Sequence, residues 1–184
     1  MKLIFGLGNP EPEYTNTRHN VGKEILNKYI NEKFPEPKWK NKPEWNAEYI
    51  ELSNEALAIK PTTFMNKSGS TISKVAHYYK VDSSDILIIY DELDLVVGEY
   101  KIGHAKGSRI HNGIVSIKQN LSSENFWHLR IGVRDKHIEG SVQKTGRDPS
   151  KYVLSQFSTS DKKKISNLVE SSLITEINNW LSIN

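Results

Sequence analysis

Apolar and polar residues fall in blocks along this chain, and the blocks predict its elements. Leu3, Ile4, Phe5 and Leu7 form a short apolar run that suits a buried strand and breaks at Gly8-Asn9-Pro10. Val21, Ile25, Leu26, Tyr29 and Ile30 recur at helical spacing and predict a helix from about Val21 to Phe34, closed by Pro35 and Pro37. The polar stretch Lys38 to Glu44 reads as a connector. Ala47 to Leu52 and Ala56 to Ile59 alternate as two short strands around Ser53-Asn54-Glu55, a hairpin pattern. Ile72, Val75, Ala76 and Tyr79 predict a helix over Ser68 to Tyr79. Ile86 to Ile89 is the most strongly apolar run and is β-branched, so it predicts a central strand buried on both faces, ending in Tyr90-Asp91-Glu92-Leu93-Asp94. Beyond it come a strand at Glu99 to Ile102, a loop from Gly103 through Gly113, a helix at Ile114 to Leu121 and a strand at Leu129 to Val133. Lys136 to Pro149 is polar with little periodicity and reads as a loop and a candidate lid. A last helix, about Lys162 to Leu181, carries Ile165, Leu168, Val169, Leu173, Ile177 and Trp180 on one side.

Alternating strand and helix patterns of this kind predict an α/β protein, and 184 residues suffice for one sizeable core, so a single domain over 1–184 is expected. Composition narrows the class. Apolar residues are 36% and the mean hydropathy is −0.58, but four Trp and eight Tyr supply large burial units, as in a globular protein with a wet surface. The absence of cysteine removes disulfides, thiol catalysis and thiolate metal sites. No amino-terminal apolar segment suits export or membrane insertion, which makes a cytoplasmic location the expectation. A net charge of +3 and a pI near 8.9 permit an anionic partner without demanding one. Lys162-Lys163-Lys164 is most simply a solvated run.

Polar landmarks sit where apolar runs end. Gly6 and Gly8 free the backbone around Asn9, and Pro10 cannot donate a hydrogen bond, so Asn9 is expected at the strand tip with its amide outward. Gly6-x-Gly8 also opens like a dinucleotide fingerprint, but Glu11 stands where a third small residue is needed and Pro10 and Pro12 interrupt the helix that should follow. His19 precedes the first helix, Asn66 lies on the loop before the second, Asp91 ends the central strand, and His111-Asn112 precede the third helix. Together these are a base, a carboxylate that can hold one ring nitrogen, and neutral amides that can donate to an oxyanion. No nucleophile elbow is present and no closely spaced His, Asp or Glu set suggests a metal, which leaves water attacking an activated ester. Asn and Asp are also ordinary turn and cap residues, and the pattern by itself leaves that plainer reading open.

The stretches that carry these landmarks resemble bacterial-type peptidyl-tRNA hydrolase: GLGNP at Gly6–Pro10, Tyr14, TRHN at Thr17–Asn20, PTTFMNKSG at Pro61–Gly69, DELD at Asp91–Asp94, HNG at His111–Gly113 and LRIGV at Leu129–Val133. They span most of the chain in the family's order. The resemblance implies one α/β globule with a mixed twisted sheet flanked by helices. It further implies hydrolysis of the ester joining a peptide, or another N-blocked aminoacyl group, to the 3′-terminal ribose of tRNA. By match to the family, His19 would activate water and Asp91 would orient it; Asn9, Asn66 and Asn112 would hold the substrate backbone and ester carbonyl; Met65 and Tyr14 would line the cleft. Lys101 and Arg130 match positions that grip tRNA phosphate, and His111 reads as structural. The expected partner is the acceptor end of peptidyl-tRNA, met by a monomer that needs no metal, cofactor or membrane. Retention of both His19 and Asp91 argues against a catalytically silent RNA-binding relative. One departure stands out: where the family has small residues before HNG, this chain has Lys106-Gly107-Ser108-Arg109-Ile110, which would narrow or reroute the substrate channel.

Overall fold

A computed structural model of the chain describes residues 1–104 and 110–183, apart from the side chain of Gln143. At its centre β1 (Lys2–Gly6) runs parallel to β4 (Ala56–Pro61) on one side and to β5 (Ile86–Val96) on the other. Beyond β4 the sheet continues antiparallel through β3 (Ala47–Ser53) and β2 (Lys40–Lys42). Beyond β5 it continues with the parallel β7 (Trp127–Arg134) and closes with the antiparallel β6 (Tyr100–Gly103). The order among the described residues is β2-β3-β4-β1-β5-β7-β6, a mixed α/β sheet of the expected class.

Side-chain parity explains the layers. Ile4, Leu87 and Ile89 face one way, against α1 (Val21–Lys33) and the carboxyl-terminal helices. Leu3, Phe5, Ile86, Ile88 and Tyr90 face the other way, against α2 (Ser68–Tyr79) and α3 (Asn112–Leu121). With helices on both faces, the inner strands are apolar at successive positions, which is the continuous pattern read at Ile86–Ile89. The long last helix starts earlier than predicted, as α5 (Thr159–Leu168), because Ser158 caps it by accepting from the Asp161 N–H. A single π turn at Val169–Leu173 then leads into α6 (Ile174–Ser182).

Three expectations change. Lys38–Glu44 is no plain connector, since Lys40, Asn41 and Lys42 pair with Tyr49, Glu48 and Ala47 as an edge strand. Such a strand needs no apolar face, and lysines suit an exposed edge. The central strand does not end at Asp91 but runs on to Val96, because β7 keeps pairing with it: Tyr90, Asp91 and Glu92 lie opposite Arg130, Ile131 and Gly132, with a register slip before Val96 meets Arg134. Asp91 is therefore inside the strand. Finally, the polar stretch 136–149 is anchored, since Ile138 and Val142 pack with Tyr152 of α4 (Pro149–Val153), a helix capped by Asp148 that the sequence pattern missed.

α1 comes against the backbone of the sheet at Gly22. A Cβ there would lie 2.2 Å from the Ile89 carbonyl oxygen and 2.7 and 2.8 Å from the Leu7 carbonyl oxygen and nitrogen, all backbone. Gly22→Ala must push α1 off β1 and β5, and is expected to lower the unfolding free energy by about 3 kcal/mol, the upper end for overpacking. A urea midpoint unchanged from wild type would contradict this packing.

Candidate active site

The parallel strands β1, β4 and β5 send their carboxyl ends to the same edge of the sheet, where open α/β sheets collect ligands. β1 delivers Gly8-Asn9-Pro10, β4 delivers the short 3-10 turn Met65–Lys67, and β5 carries Asp91. Two helix starts complete the ring: the 3-10 turn Arg18–Asn20 before α1, and His111-Asn112 at the head of α3.

Asp91 is only 2% exposed, and one of its oxygens meets two imidazoles. His19 Nδ1 and His111 Nε2 each lie 2.8 Å from Asp91 Oδ1. Burial raises the pKa of Asp91, but the two histidines beside it, by charge and hydrogen bond, more than reverse this and hold its carboxyl well below the usual range. The group is a carboxylate, an acceptor only, so the facing ring nitrogens carry the protons. At the far side of His111, Nδ1 accepts from the Ile114 N–H at 3.3 Å, which fixes the same tautomer from the other end. Among the described residues His19 has no such second tie, and its Nε2 is left for the cleft. Burial lowers the pKa of His19; the charge and hydrogen bond of Asp91 outweigh burial and raise it above the ordinary 6.5.

Arg18 holds the His19 turn in place. Its guanidinium donates to the carbonyls of Val133 and Gln156, to Ser155 Oγ and to Asp135 Oδ1 at 2.6–3.1 Å, and stacks between Tyr152 and Phe157. The turn is thus fastened to β7 and to α4.

Asn9 is held from three directions. Its N–H donates to Asn20 Oδ1 at 2.8 Å, and its carbonyl accepts from Asn20 Nδ2 at 3.1 Å and from Lys23 Nζ at 2.9 Å. Its side-chain oxygen accepts from the Met65 N–H at 2.8 Å. With Oδ1 occupied, Nδ2 is the end of the amide left without a partner among the described residues, as the outward amide expected from the sequence requires.

Two adjoining cavities flank His19. One, of about 350 Å³, is bordered by Asn9, Phe64, Met65, Asn66 and Leu154. The other, of about 290 Å³, is bordered by Asp91, Glu92, Leu93, Ile110 and His111. His19, Asn112, Ser150 and Val153 border both, so α4 roofs the divide. Of the residues expected from the sequence, Asn9, His19, Met65, Asn66, Asp91 and Asn112 converge here. Tyr14 stands further out, its ring edge against Phe64 at 6.2 Å between centroids. Lys101 and Arg130 are directly opposite each other across β6 and β7, hence on one face, with Glu92 3.7 Å from the Arg130 guanidinium. Ile110 borders the cleft, whereas 106–109 of the departing segment, Arg109 included, lie outside the described residues.

Sequence reading missed three members. The Asp91 contact of His111 had no signal, since 20 residues separate the pair. Lys23 was legible: it falls on the buried line His19, Leu26, Ile30 at helical spacing. Glu92 lies within the DELD motif with no role of its own, yet it is buried and its pKa is raised by that burial. The reading also found no clustered metal donors, but His19, Asp91 and His111 bring three donor atoms within 4.8 Å of one another. Metal binding through His111 Nε2 would move its proton to Nδ1, which would then confront the Ile114 N–H, so hydrogen bonding is the better use of the cluster.

Comparison with known proteins agrees with this picture. The family profile described as Peptidyl-tRNA hydrolase matches residues 3–182. The peptidyl-tRNA hydrolase of Clostridium botulinum is 36% identical over 173 residues, covering 92% of this chain and 84% of that protein; that of Coxiella burnetii is 37% identical over 173 residues, covering 94% and 87%. The solved structure of peptidyl-tRNA hydrolase from Acinetobacter baumannii superposes with a TM-score of 0.78 at 26% identity, covering 100% of this chain and 96% of that one. Another peptidyl-tRNA hydrolase, in complex with n-propanol, gives 0.77 at 26%, covering 98% and 93%. These likenesses define the class, a hydrolase built on an open mixed α/β sheet. The chain belongs to the peptidyl-tRNA hydrolase family.

The His19–Asp91 pair has a titration consequence. A histidine whose folded pKa is raised lends stability fully below 6.5 and loses it as pH rises through the folded value. Asp91→Asn removes the groups that raise it and leaves burial, which lowers it, so the His19 pKa is expected to fall below 6.5. Imidazole proton resonances followed from pH 5 to 9 would measure this, and an unmoved midpoint would mean that Asp91 does not govern the ring.

Proposed function

We propose that this chain hydrolyses the ester between a peptide, or another N-blocked aminoacyl group, and the 3′-terminal ribose of tRNA, returning tRNA from prematurely released peptidyl-tRNA in the cytoplasm. Membership of the family supports the substrate class. The observation that carries the chemistry is the 2.8 Å bond from His19 Nδ1 to buried Asp91, which turns Nε2 toward a cleft rimmed by Asn9, Asn66 and Asn112.

In this reading His19 Nε2 takes a proton from water as its oxygen bonds to the ester carbonyl carbon. Asp91 keeps the proton on Nδ1 and stabilises the imidazolium, as the carboxylate does in a triad. The developing oxyanion is met by neutral amide donors, of which Asn9 Nδ2 is the best fixed because Met65 pins the other end of its amide. Collapse breaks the carbonyl carbon to 3′-oxygen bond, and the imidazolium returns the proton to that oxygen. Met65 and Phe64 give the acyl side an apolar wall, with Tyr14 behind Phe64. Lys101 and Arg130 take tRNA phosphate. Like charges directly across a strand pair are unfavourable, and an anion relieves them. No helix among the described residues is long and apolar enough to cross a membrane.

His19→Ala is expected to lower single-turnover hydrolysis of a defined peptidyl-tRNA by about 10²–10⁴, the usual value of a general base, with tRNA affinity nearly intact. A rate within a few-fold of wild type would overturn the assignment.

Lys101→Ala and Arg130→Ala should each raise KM for full-length tRNA and flatten its salt dependence by about one unit of log–log slope, leaving a short aminoacyl-adenosine ester unaffected. Equal losses on both substrates would place their effect in the cleft instead.

A further inference from the structure

Lys23 is a buried cation that the mechanism above does not use. It lies on α1 one turn past His19 and is 5% exposed. Its Nζ donates to the Asn9 carbonyl at 2.9 Å, the same oxygen that accepts from Asn20. Gly8 makes this approach possible, since a Cβ there would stand 2.9 Å from Lys23 Cδ and 3.0 Å from Asn20 Cγ. The charged groups acting on Lys23 come from every neighbouring element: Glu11 on the loop after β1, Glu48 on β3 and Lys60 on β4, which with Pro10 and Thr62 border a small cavity of about 180 Å³ behind the Asn9 loop. Lys60 is itself engaged, 3.1 Å from Glu48 and 3.9 Å from the centre of the Trp39 ring.

We propose that Lys23 is a positioning residue, whose buried ammonium locks the Asn9 peptide from behind and so sets where the Asn9 amide meets the substrate. This deepens the function proposed above and rests on it. A charge-assisted bond is about twice as strong as a neutral one. It therefore makes the grip on Asn9 depend on a proton that is not His19's. Burial lowers the pKa of Lys23 from the ordinary 10.5 to about 8, Glu11 opposing, Lys60 adding to the drop and Glu48 opposing. Between those two values the unfolded chain binds the extra proton, so stability rises with pH there, and at neutral pH the charge costs stability. A lysine kept for packing would stabilise the fold; one kept for placement can cost it.

Lys23→Met keeps the length and removes the charge. It is expected to raise the Tm at pH 7, to lower kcat/KM on a defined peptidyl-tRNA by about tenfold, and to remove a loss of activity that wild type shows as pH passes 8. In an Asn9→Ala background the same change should cost less than roughly twofold, because the group it acts through is gone. In wild type, the Asn9 side-chain amide resonances should shift with the Lys23 Cε titration near pH 8. A lowered Tm with full, additive loss in the Asn9→Ala background would overturn the inference, as would an Asn9 amide that ignores the Lys23 titration. Wild type that leaves peptidyl-tRNA uncleaved would overturn the proposed function, and the amide titration would still decide for or against Lys23.

Discussion

One carboxylate oxygen, Asp91 Oδ1, is the point on which the two faces of the sheet converge. A carboxylate in a nearly closed interior costs several kcal/mol unless donors replace its water. Here the donors come from opposite layers: His19 from the turn that opens α1, and His111 from the head of α3. Neither helix could shift along the sheet without depriving the charge of one of its two donors. Gly22 makes the same demand from the backbone side, holding α1 against the Leu7 and Ile89 peptides. The active-site geometry and the packing of α1 are thus one constraint, set within a few residues on each side of His19.

The two histidines that share Asp91 differ in what holds their other nitrogen. His111 is tied at both ends, to Asp91 and to the Ile114 N–H, so its proton has no freedom to move. Among the described residues His19 is tied only at Nδ1, while Arg18, its chain neighbour, fastens the turn to Val133, Asp135, Ser155 and Gln156. The ring is therefore fixed in orientation, with its other nitrogen facing the cleft, the arrangement that the proposed role of His19 uses. Expecting His111 to be structural leaves out this contribution: it makes Asp91 a settled acceptor, so that His19 need not neutralise it alone.

The sequence made the architecture legible where periodicity carried it. Leu3 to Leu7, Val21 to Ile30 and Ile86 to Ile89 predict β1, α1 and the start of β5 because burial on one or two faces leaves a period. It failed where partners decided the matter: β2 exists because β3 offers an edge, and Asp91 through Val96 remain a strand because β7 pairs with them. The motifs placed Asn9, Asn66 and Asn112 beside His19 and Asp91, and the fold brings them together. What the motifs could not give was the reason Asn9 points as it does. That depends on Met65, Asn20 and Lys23, which lie far from Asn9 in chain order or look like ordinary helix residues.

Cavity size would have led elsewhere. The most voluminous described hollow, about 620 Å³, lies at the other end of the sheet among Met1, Lys2, Tyr29, Leu52 and Ile183. Its polar groups are largely content: Lys2 donates to the Trp180 and Ile183 carbonyls, and Tyr29 donates to Asn178. Around His19 the opposite holds. A buried glutamate with a raised pKa borders one of the two cavities, the Asn9 amide nitrogen, without a partner among the described residues, borders the other, and a buried lysine stands behind the Asn9 loop. Each departs from what stability alone would select, while Ile86 to Ile89 of the central strand leading to them are wholly apolar and buried. Local violations of this kind persist where a ligand offsets them, and real folds concentrate them at functional sites. The smaller cavities beside His19 therefore mark the site by unmet chemistry rather than by volume.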